Sequence, residues 1–276
     1  MTAAVGEAVE AGTIGGRLWL YANYRCNLTC AYCLTESAPS VTGRELGPER
    51  MVELAAEARA AGFAALGVTG GEPFLVPGLP AVLTEMAAEL PLVVLSNGTL
   101  FNRRLVAELA PLARLDAAVQ LSLDSAESDA NDALRGAHSF VRAVDAIRRL
   151  REIGLRVRIA TTSEGLTPEA LARLCELHRS LGVPDEDHVV RPIVRRGRAV
   201  DHGLGVSAGL RDLPAELTIT ADGAFWSPFG PTVHGGRLDT DLLLTRTTRP
   251  LSVPAAAMLK VAGAAPPGTG SELRIC

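Results

Sequence analysis

"RLWLYANYRCNLTCAYCLTE", residues 17–36, changes character halfway: an apolar and aromatic run ends near Tyr24, and Cys26, Cys30 and Cys33 follow within eight residues. The first half reads as a strand and the second as a tight loop leaving the end of that strand. Three of the chain's five cysteines therefore sit together in the spacing C-x3-C-x2-C.

The same strand-to-loop pattern repeats downstream. "PERMVELAAEARAAG" reads as a helix stopped by Gly62, "FAALGVTGG" as a strand entering a glycine loop, "LPAVLTEMAAEL" as a helix, "PLVVLSNG" as a strand and "NRRLVAELAPL" as a helix. "LDAAVQLSLD", "LRVRIATTS" and "DHVVRPIVRRG" read as further strands, separated by the helices "SFVRAVDAIRRLREIG" and "TPEALARLCELHRSLG", the latter starting at Thr167-Pro168. Six strands alternating with five helices must run parallel, in either an open doubly wound sheet or a partial barrel. Both architectures carry function on loops at the C-terminal ends of the strands. In this chain those positions hold the cysteines, "TGGEP", "SNGT", "SLDS" and "TTSEG".

Outside this span the pattern stops. The first 16 residues are mostly small and read as a flexible tail with no secretory signal. After 198, "ELTITADGAFW" reads as a hairpin turning at Asp222-Gly223, "VPAAAMLKVAG" as a short helix and "GAAPPGTGS" as a flexible stretch. The expected organisation is a tail (1–16), an α/β core (17–198) and a small α+β appendage (199–276). The net charge of −4 gives no electrostatic reason to expect nucleic acid or an acidic membrane as partner. Without a long apolar run or a signal segment, a cytoplasmic location is expected, and there clustered thiols serve as metal ligands or catalysts sooner than as disulfides.

Thiolates favour zinc or the iron of iron–sulfur clusters. Structural zinc takes four ligands, and no cysteine or histidine lies near enough in sequence to complete the set: Cys175 is mid-helix and Cys276 ends the sequence. A [4Fe-4S] cluster on three cysteines leaves one iron open to an exogenous ligand.

The cysteine spacing, with Tyr32 before the last cysteine, resembles the signature of the radical S-adenosylmethionine enzymes. "TGGEP" resembles their GGE motif, and "LSNGT", "VQLSLDS" and the "LRG" of Leu134–Gly136 resemble their later strand-end motifs. The resemblance spans roughly 17–195 and implies a partial (β/α)6, TIM-like barrel. It also implies one [4Fe-4S] cluster on Cys26, Cys30 and Cys33, with S-adenosylmethionine at the open iron. Reductive cleavage of that cofactor to a 5'-deoxyadenosyl radical, which takes hydrogen from a small-molecule or peptide substrate, is the implied activity. An electron donor such as flavodoxin or ferredoxin is the implied partner.

By the same resemblance the Gly70-Gly71-Glu72 loop holds the methionine amino group, with Glu72 accepting from the ammonium. Ser122 and Arg135 are assigned to the carboxylate, Asn97 and Asp124 to ribose or substrate, and Tyr32 to the cofactor. For Gly70 and Gly71 the residue-level reason is close backbone approach without a Cβ. An ordinary turn explains the glycines and Asn97-Gly98 as well, and a solvated surface position suits Arg135. Arg191 in the sixth strand suits cofactor, substrate or an internal ion pair. Cys175 reads as a buried structural thiol, His178 as a surface residue, and His188, His202 and His234 have no partners at metal spacing.

The region after 198 resembles the SPASM or twitch extension of some relatives, but Trp226-Ser227-Pro228 stands where a cysteine is common. The expectation is a degenerate extension without an auxiliary cluster. With the first strand starting near residue 17, a ribosomal peptide substrate would need a separate docking protein. Two other readings compete: a non-catalytic iron–sulfur or zinc scaffold on the same fold, and a thiol redox protein using Cys30 and Cys33, whose thioredoxin-like fold six strand–helix units exceed.

Overall fold

A computed structural model describes residues 2–264 and Leu273. In chain order the helices are α1 (Thr2–Glu10), α2 (Pro48–Ala61), α3 (Leu79–Glu89), α4 (Arg103–Leu109), α5 (Ser128–Arg135), α6 (Ser139–Glu152), α7 (Pro168–Ser180), α8 (Arg198–Asp201) and α9 (Ser252–Ala264). The strands are β1 (Arg17–Tyr21), β2 (Ala65–Thr69), β3 (Leu92–Ser96), β4 (Ala117–Ser122), β5 (Arg156–Thr162), β6 (His188–Arg191), β7 (Thr218–Thr220), β8 (Gly223–Phe225), β9 (Val233–His234), β10 (Arg237–Leu238) and β11 (Leu243–Thr245).

Strands β1 to β6 are parallel neighbours in sequence order, so each strand-end loop lies beside the next. The sheet stays open, a partial barrel with helices on its outer face. Met51 and Leu54 of α2, Leu79, Leu83 and Met86 of α3, and Ile147 and Leu150 of α6 are buried against strand residues such as Leu18, Leu66 and Val119. Burial on both faces explains why these strands read as continuous apolar runs. Gly67 of β2 lies opposite Trp19, and a Cβ there would stand 2.4 Å from the indole, so the glycine is the space the ring fills.

The helix ends follow local chemistry. Thr167 and Asn102 cap α7 and α4 by accepting from Ala170 and Leu105 N–H groups, and Gly62 closes α2 in the left-handed region at φ 95°.

Three expectations change. The flexible tail is instead mostly helix α1, with Val5 and Ile14 buried, because small residues spaced for one apolar face find a partner in the core. Helix α5, absent from the strand–helix count, precedes α6; its eight residues are mostly polar, and the two it buries are Asn131 and Arg135, not apolar side chains. The hairpin at Asp222-Gly223 forms as β7 and β8, yet it is part of the main sheet: β7 pairs parallel to β1 through Trp19↔Thr218 and Leu20↔Ile219. Trp19 Nε1 reinforces that seam by donating to Glu216 at 2.6 Å. "VPAAAMLKVAG" falls within α9, while most of "GAAPPGTGS" and Cys276 lie outside the described residues. No helix among the described residues is long and apolar enough to cross a membrane.

Candidate functional site

Because β1 to β4 are adjacent, the cysteine loop, the glycine loop, Asn97 and the Asp124 turn meet at one end of the sheet. The first junction is backbone. Gly71 N–H donates to Asn23 O at 3.0 Å, Glu72 N–H to Arg25 O at 2.8 Å, and Asn23 Nδ2 to Glu72 O at 2.9 Å. A Cβ on Gly71 would lie 2.2 Å from Arg25 O, and one on Gly70, which has φ 144°, would lie 2.4 Å from Asn23 O. The two glycines are thus required by the approach of the cysteine loop's own backbone.

Glu72 is fully buried at 0% exposure, and its carboxylate accepts from Ser96 Oγ (2.9 and 3.0 Å), Asn97 N–H (2.9 Å) and Phe74 N–H (3.1 Å). Burial raises its pKa to about 7 in spite of these donors. Both carboxylate oxygens of Glu72 thus tie the glycine loop to the end of β3.

Each cysteine sulfur has a polar neighbour from elsewhere. Cys26 Sγ accepts from Leu28 N–H at 3.4 Å and from Asn97 Nδ2 at 3.6 Å. Asn97 is held by a closed ring: its Nδ2 donates to Asn27 Oδ1, Asn27 Nδ2 to Thr99 Oγ1, and Thr99 Oγ1 to Asn97 Oδ1, at 2.9, 2.7 and 2.6 Å. The structure therefore puts Asn97 beside Cys26. The Cys30 thiol donates to Arg135 O, and Cys33 Sγ lies 3.6 Å from Thr35 Oγ1. Burial pushes the Cys26 thiol up to about 12 and raises that of Cys30, so both are protonated until a soft cation displaces the proton.

Asp124, Arg135 and Tyr32 form one buried unit. Tyr32 O–H donates to Asp124 Oδ2 at 2.5 Å, Arg135 Nη1 donates to the same oxygen at 3.2 Å and to the Tyr32 oxygen, and Thr162 N–H donates to Asp124 Oδ1 at 2.8 Å. Asp124 is thereby committed to positioning Arg135 and Tyr32, and the surface reading of Arg135 is excluded by its 5% exposure. Desolvation works to lower the Arg135 pKa, but Tyr32, Cys30 and Asp124 outweigh it and the net shift is upward. Its Nε is buried with no partner, a donor left for an incoming acceptor. Ser122 is half-buried at the end of β4 in the same mouth.

The residue missed from sequence is Arg198. Its backbone N–H donates to Cys33 O (3.0 Å), its Nε to Cys30 O (3.0 Å) and its Nη2 to Ser37 O (2.6 Å). A cation that clamps carbonyls across so long a sequence separation has no local signature. The histidines also differ from expectation. His178 is buried at 1% exposure, edge-on to His188 at 4.3 Å between centroids. His188 Nε2 lies 2.9 Å from Thr161 Oγ1, and Cys175 is half-buried with Sγ 3.8 Å from His188 Nδ1.

The donor set suits an iron–sulfur group: three soft thiol ligands on one loop. Among the described residues, the only three His, Cys, Asp or Glu ligand atoms that lie within 4.8 Å of one another belong to Glu36, Asp201 and His234. Cys26, Cys30 and Cys33 are therefore spread more widely than thiolates sharing one tetrahedral ion, whose edges at a Zn–S bond of about 2.3 Å measure about 3.8 Å.

Comparison with known proteins agrees. The model of the Radical SAM superfamily matches residues 21–178, and the chain belongs to that superfamily. It is similar to the antilisterial bacteriocin subtilosin biosynthesis protein AlbA of Bacillus subtilis, with 34% identity over 139 residues, 50% of this chain and 31% of the relative. It is similar also to the mycofactocin maturase MftC of Mycobacterium ulcerans, with 35% identity over 132 residues, 48% of this chain and 35% of the relative. The matches thus span about a third of these relatives' lengths. Among solved structures, Streptococcus suis SuiB bound to precursor peptide SuiA shares the fold with a TM-score of 0.59 and 18% identity, over 76% of this chain and 47% of SuiB.

Proposed function

We propose that this chain is a radical enzyme that holds one [4Fe-4S] cluster on Cys26, Cys30 and Cys33 and S-adenosylmethionine beside it. When bound, the cluster supplies an electron to the cofactor, whose cleavage yields the radical that takes hydrogen from a peptide or small-molecule substrate. The observation that carries this reading is the docking of the three-cysteine loop onto the ends of β2, β3 and β4 and onto Arg198 of α8.

The protein's own residues hold and enclose. Asn97 and Leu28 N–H groups face Cys26 Sγ and would stabilise a thiolate there, and Arg198 fixes the loop carbonyls. Arg135, kept charged and oriented by Asp124 and Tyr32, has its buried Nε free for a carboxylate, and Ser122 at the end of β4 offers a hydroxyl. The backbone of Gly70 and Gly71 forms the edge nearest an amino group, while Glu72 holds that edge in place. Tyr32 and the apolar strand residues exclude water from the mouth. A peptide substrate is supported by SuiB, which is bound to a precursor peptide, and flavodoxin or ferredoxin suits the electron supply.

Reconstitution without oxygen, followed by S-adenosylmethionine and dithionite, tests this. The expected results are about four irons per chain and formation of 5'-deoxyadenosine, both lost in Cys30→Ala. A full cluster with no 5'-deoxyadenosine would leave the scaffold reading ahead, and cleavage surviving in Cys30→Ala would refute the ligand set.

A further inference from the structure

Arg191 ends β6 and points its side chain at the space between the cysteine and glycine loops. That space is a cavity of about 140 Å³ lined by Tyr32, Cys33, Gly70, Leu95, Phe229 and Arg191 itself among others. Among the described residues the Arg191 guanidinium makes no hydrogen bond and no ion pair, and its Nε is fully buried without a partner. The charged and ionisable groups facing it are Tyr32, Asp124, Arg135 and Tyr21. All are engaged elsewhere: Asp124 and Tyr32 with Arg135, and Tyr21 through its hydroxyl with Pro228 O at 2.7 Å. Two guanidiniums thus share one carboxylate, and Arg135 has taken it. Desolvation lowers the Arg191 pKa, the sign of a cation held without compensation.

Arg191 is half-buried, with its Nε enclosed and unpaired and the rest of the fork turned to the cavity, and a fork of N–H donors with no acceptor is satisfied best by a planar pair of oxygens. Resting on the function proposed above, we infer that Arg191 receives a carboxylate of the substrate, borne on an apolar end that packs against Leu95 and Phe229. The cavity also borders Tyr32, Cys33 and Gly70, which the proposed cluster and cofactor use, so the part at Arg191, Leu95 and Phe229 is left for the acid-bearing end of a small molecule or peptide and not for a whole ligand. The site is separate from Arg135, which is the guanidinium adjoining Cys30.

The test uses the reconstituted holoenzyme with S-adenosylmethionine present and two probes, 3-phenylpropanoate and its uncharged amide, titrated by calorimetry. The acid is expected to bind at least roughly tenfold more tightly than the amide, and Arg191→Gln to lose that preference. Iron content and the cofactor-induced change in the cluster's electron paramagnetic resonance spectrum are expected to stay at wild-type level in the variant. Equal binding of acid and amide, no binding of the acid, or a preference that persists in Arg191→Gln overturns the inference. Loss of the cofactor-induced spectral change with the cluster intact would mean that Arg191 holds the cofactor's own carboxylate, and the substrate assignment falls. Arg191→Lys, which keeps charge without the fork, serves if the Gln variant misfolds: acid affinity is expected to drop at least about threefold, and an unchanged affinity overturns the inference. A wild-type protein that forms no cluster or shows no cofactor-induced change counts against the proposed function, and is read independently of the probes.

Discussion

Replacing Gly71 with alanine tests the junction on which the site is built. Gly71 is not among the glycines at positive φ, so alanine is allowed there by its backbone and the objection is space alone. The new Cβ would lie 2.2 Å from Arg25 O, 2.6 Å from Arg25 C and 2.8 Å from Tyr24 O, all backbone atoms that cannot swing aside. Relief requires the glycine loop to withdraw from the cysteine loop, which breaks the bonds from Gly71 N–H, Glu72 N–H and Asn23 Nδ2 described above. At about 1 kcal/mol net each, the loss is about 3 kcal/mol, or roughly 6–12 °C in melting temperature for a chain of this size. Circular dichroism melts of the apo protein measure it, and iron content after reconstitution should fall in parallel. Gly6→Ala is the matched control: it lies in α1 with nothing nearer than 3.9 Å to the new Cβ, and it should stabilise by about 0.5–1 kcal/mol. A Gly71→Ala melting temperature within about 2 °C of wild type would refute the steric argument.

Arg198→Met should leave the fold intact but speed loss of the cluster's visible absorbance to an iron chelator by roughly tenfold, because two charge-assisted bonds to the loop carbonyls are lost; an unchanged rate would show that the clamp is idle. Glu72, with its pKa raised to about 7, binds its proton more tightly in the folded state, so its contribution to stability is present below the unfolded carboxylate pKa and declines as pH rises through about 7. Its share is about 3 kcal/mol between pH 5 and pH 8, and urea titrations of Glu72→Gln should lack that decline with rising pH. His178 acts in the opposite direction: burial lowers its pKa to about 3, so it stays neutral in the fold, and stability present above the unfolded value is lost as pH falls below about 6.5. His178→Leu should remove a cost of about 2 kcal/mol between pH 8 and pH 5, and an unaltered acid slope would contradict its buried, neutral state.

The alternating units were legible because parallel strands covered on both faces leave unbroken apolar runs, and because Gly62, Asn102 and Thr167 punctuate helices by local chemistry. The three cysteines and the strand-end motifs were legible as short signatures. What escaped depends on contacts between distant residues. Helix α1 needs the core to make its small residues meaningful, and α5 is too polar to announce itself. His178 sits among charged neighbours in "CELHRS" yet turns inward, and Arg135 looks like any exposed arginine until Asp124 and Tyr32 surround it. The hydrogen bonds of Glu72 were hidden for the same reason, since apart from Phe74 N–H its donors come from the end of β3, with Ser96 24 positions away in sequence.

The clamp by Arg198 also has a temporal side. Arg198 follows Cys30 by 168 positions, so a ribosome adding about 5–20 residues per second exposes the thiols for roughly 8–30 s before their clamp exists. During that interval the loop is held by contacts from earlier residues such as Gly71, Glu72, Asn97 and Arg135, and the carbonyls of Cys30, Cys33 and Ser37 wait for their donor. Under the proposed function, the last contact to close on the thiols accordingly comes from the chain past β6, after the glycine loop and Asn97 have already been made.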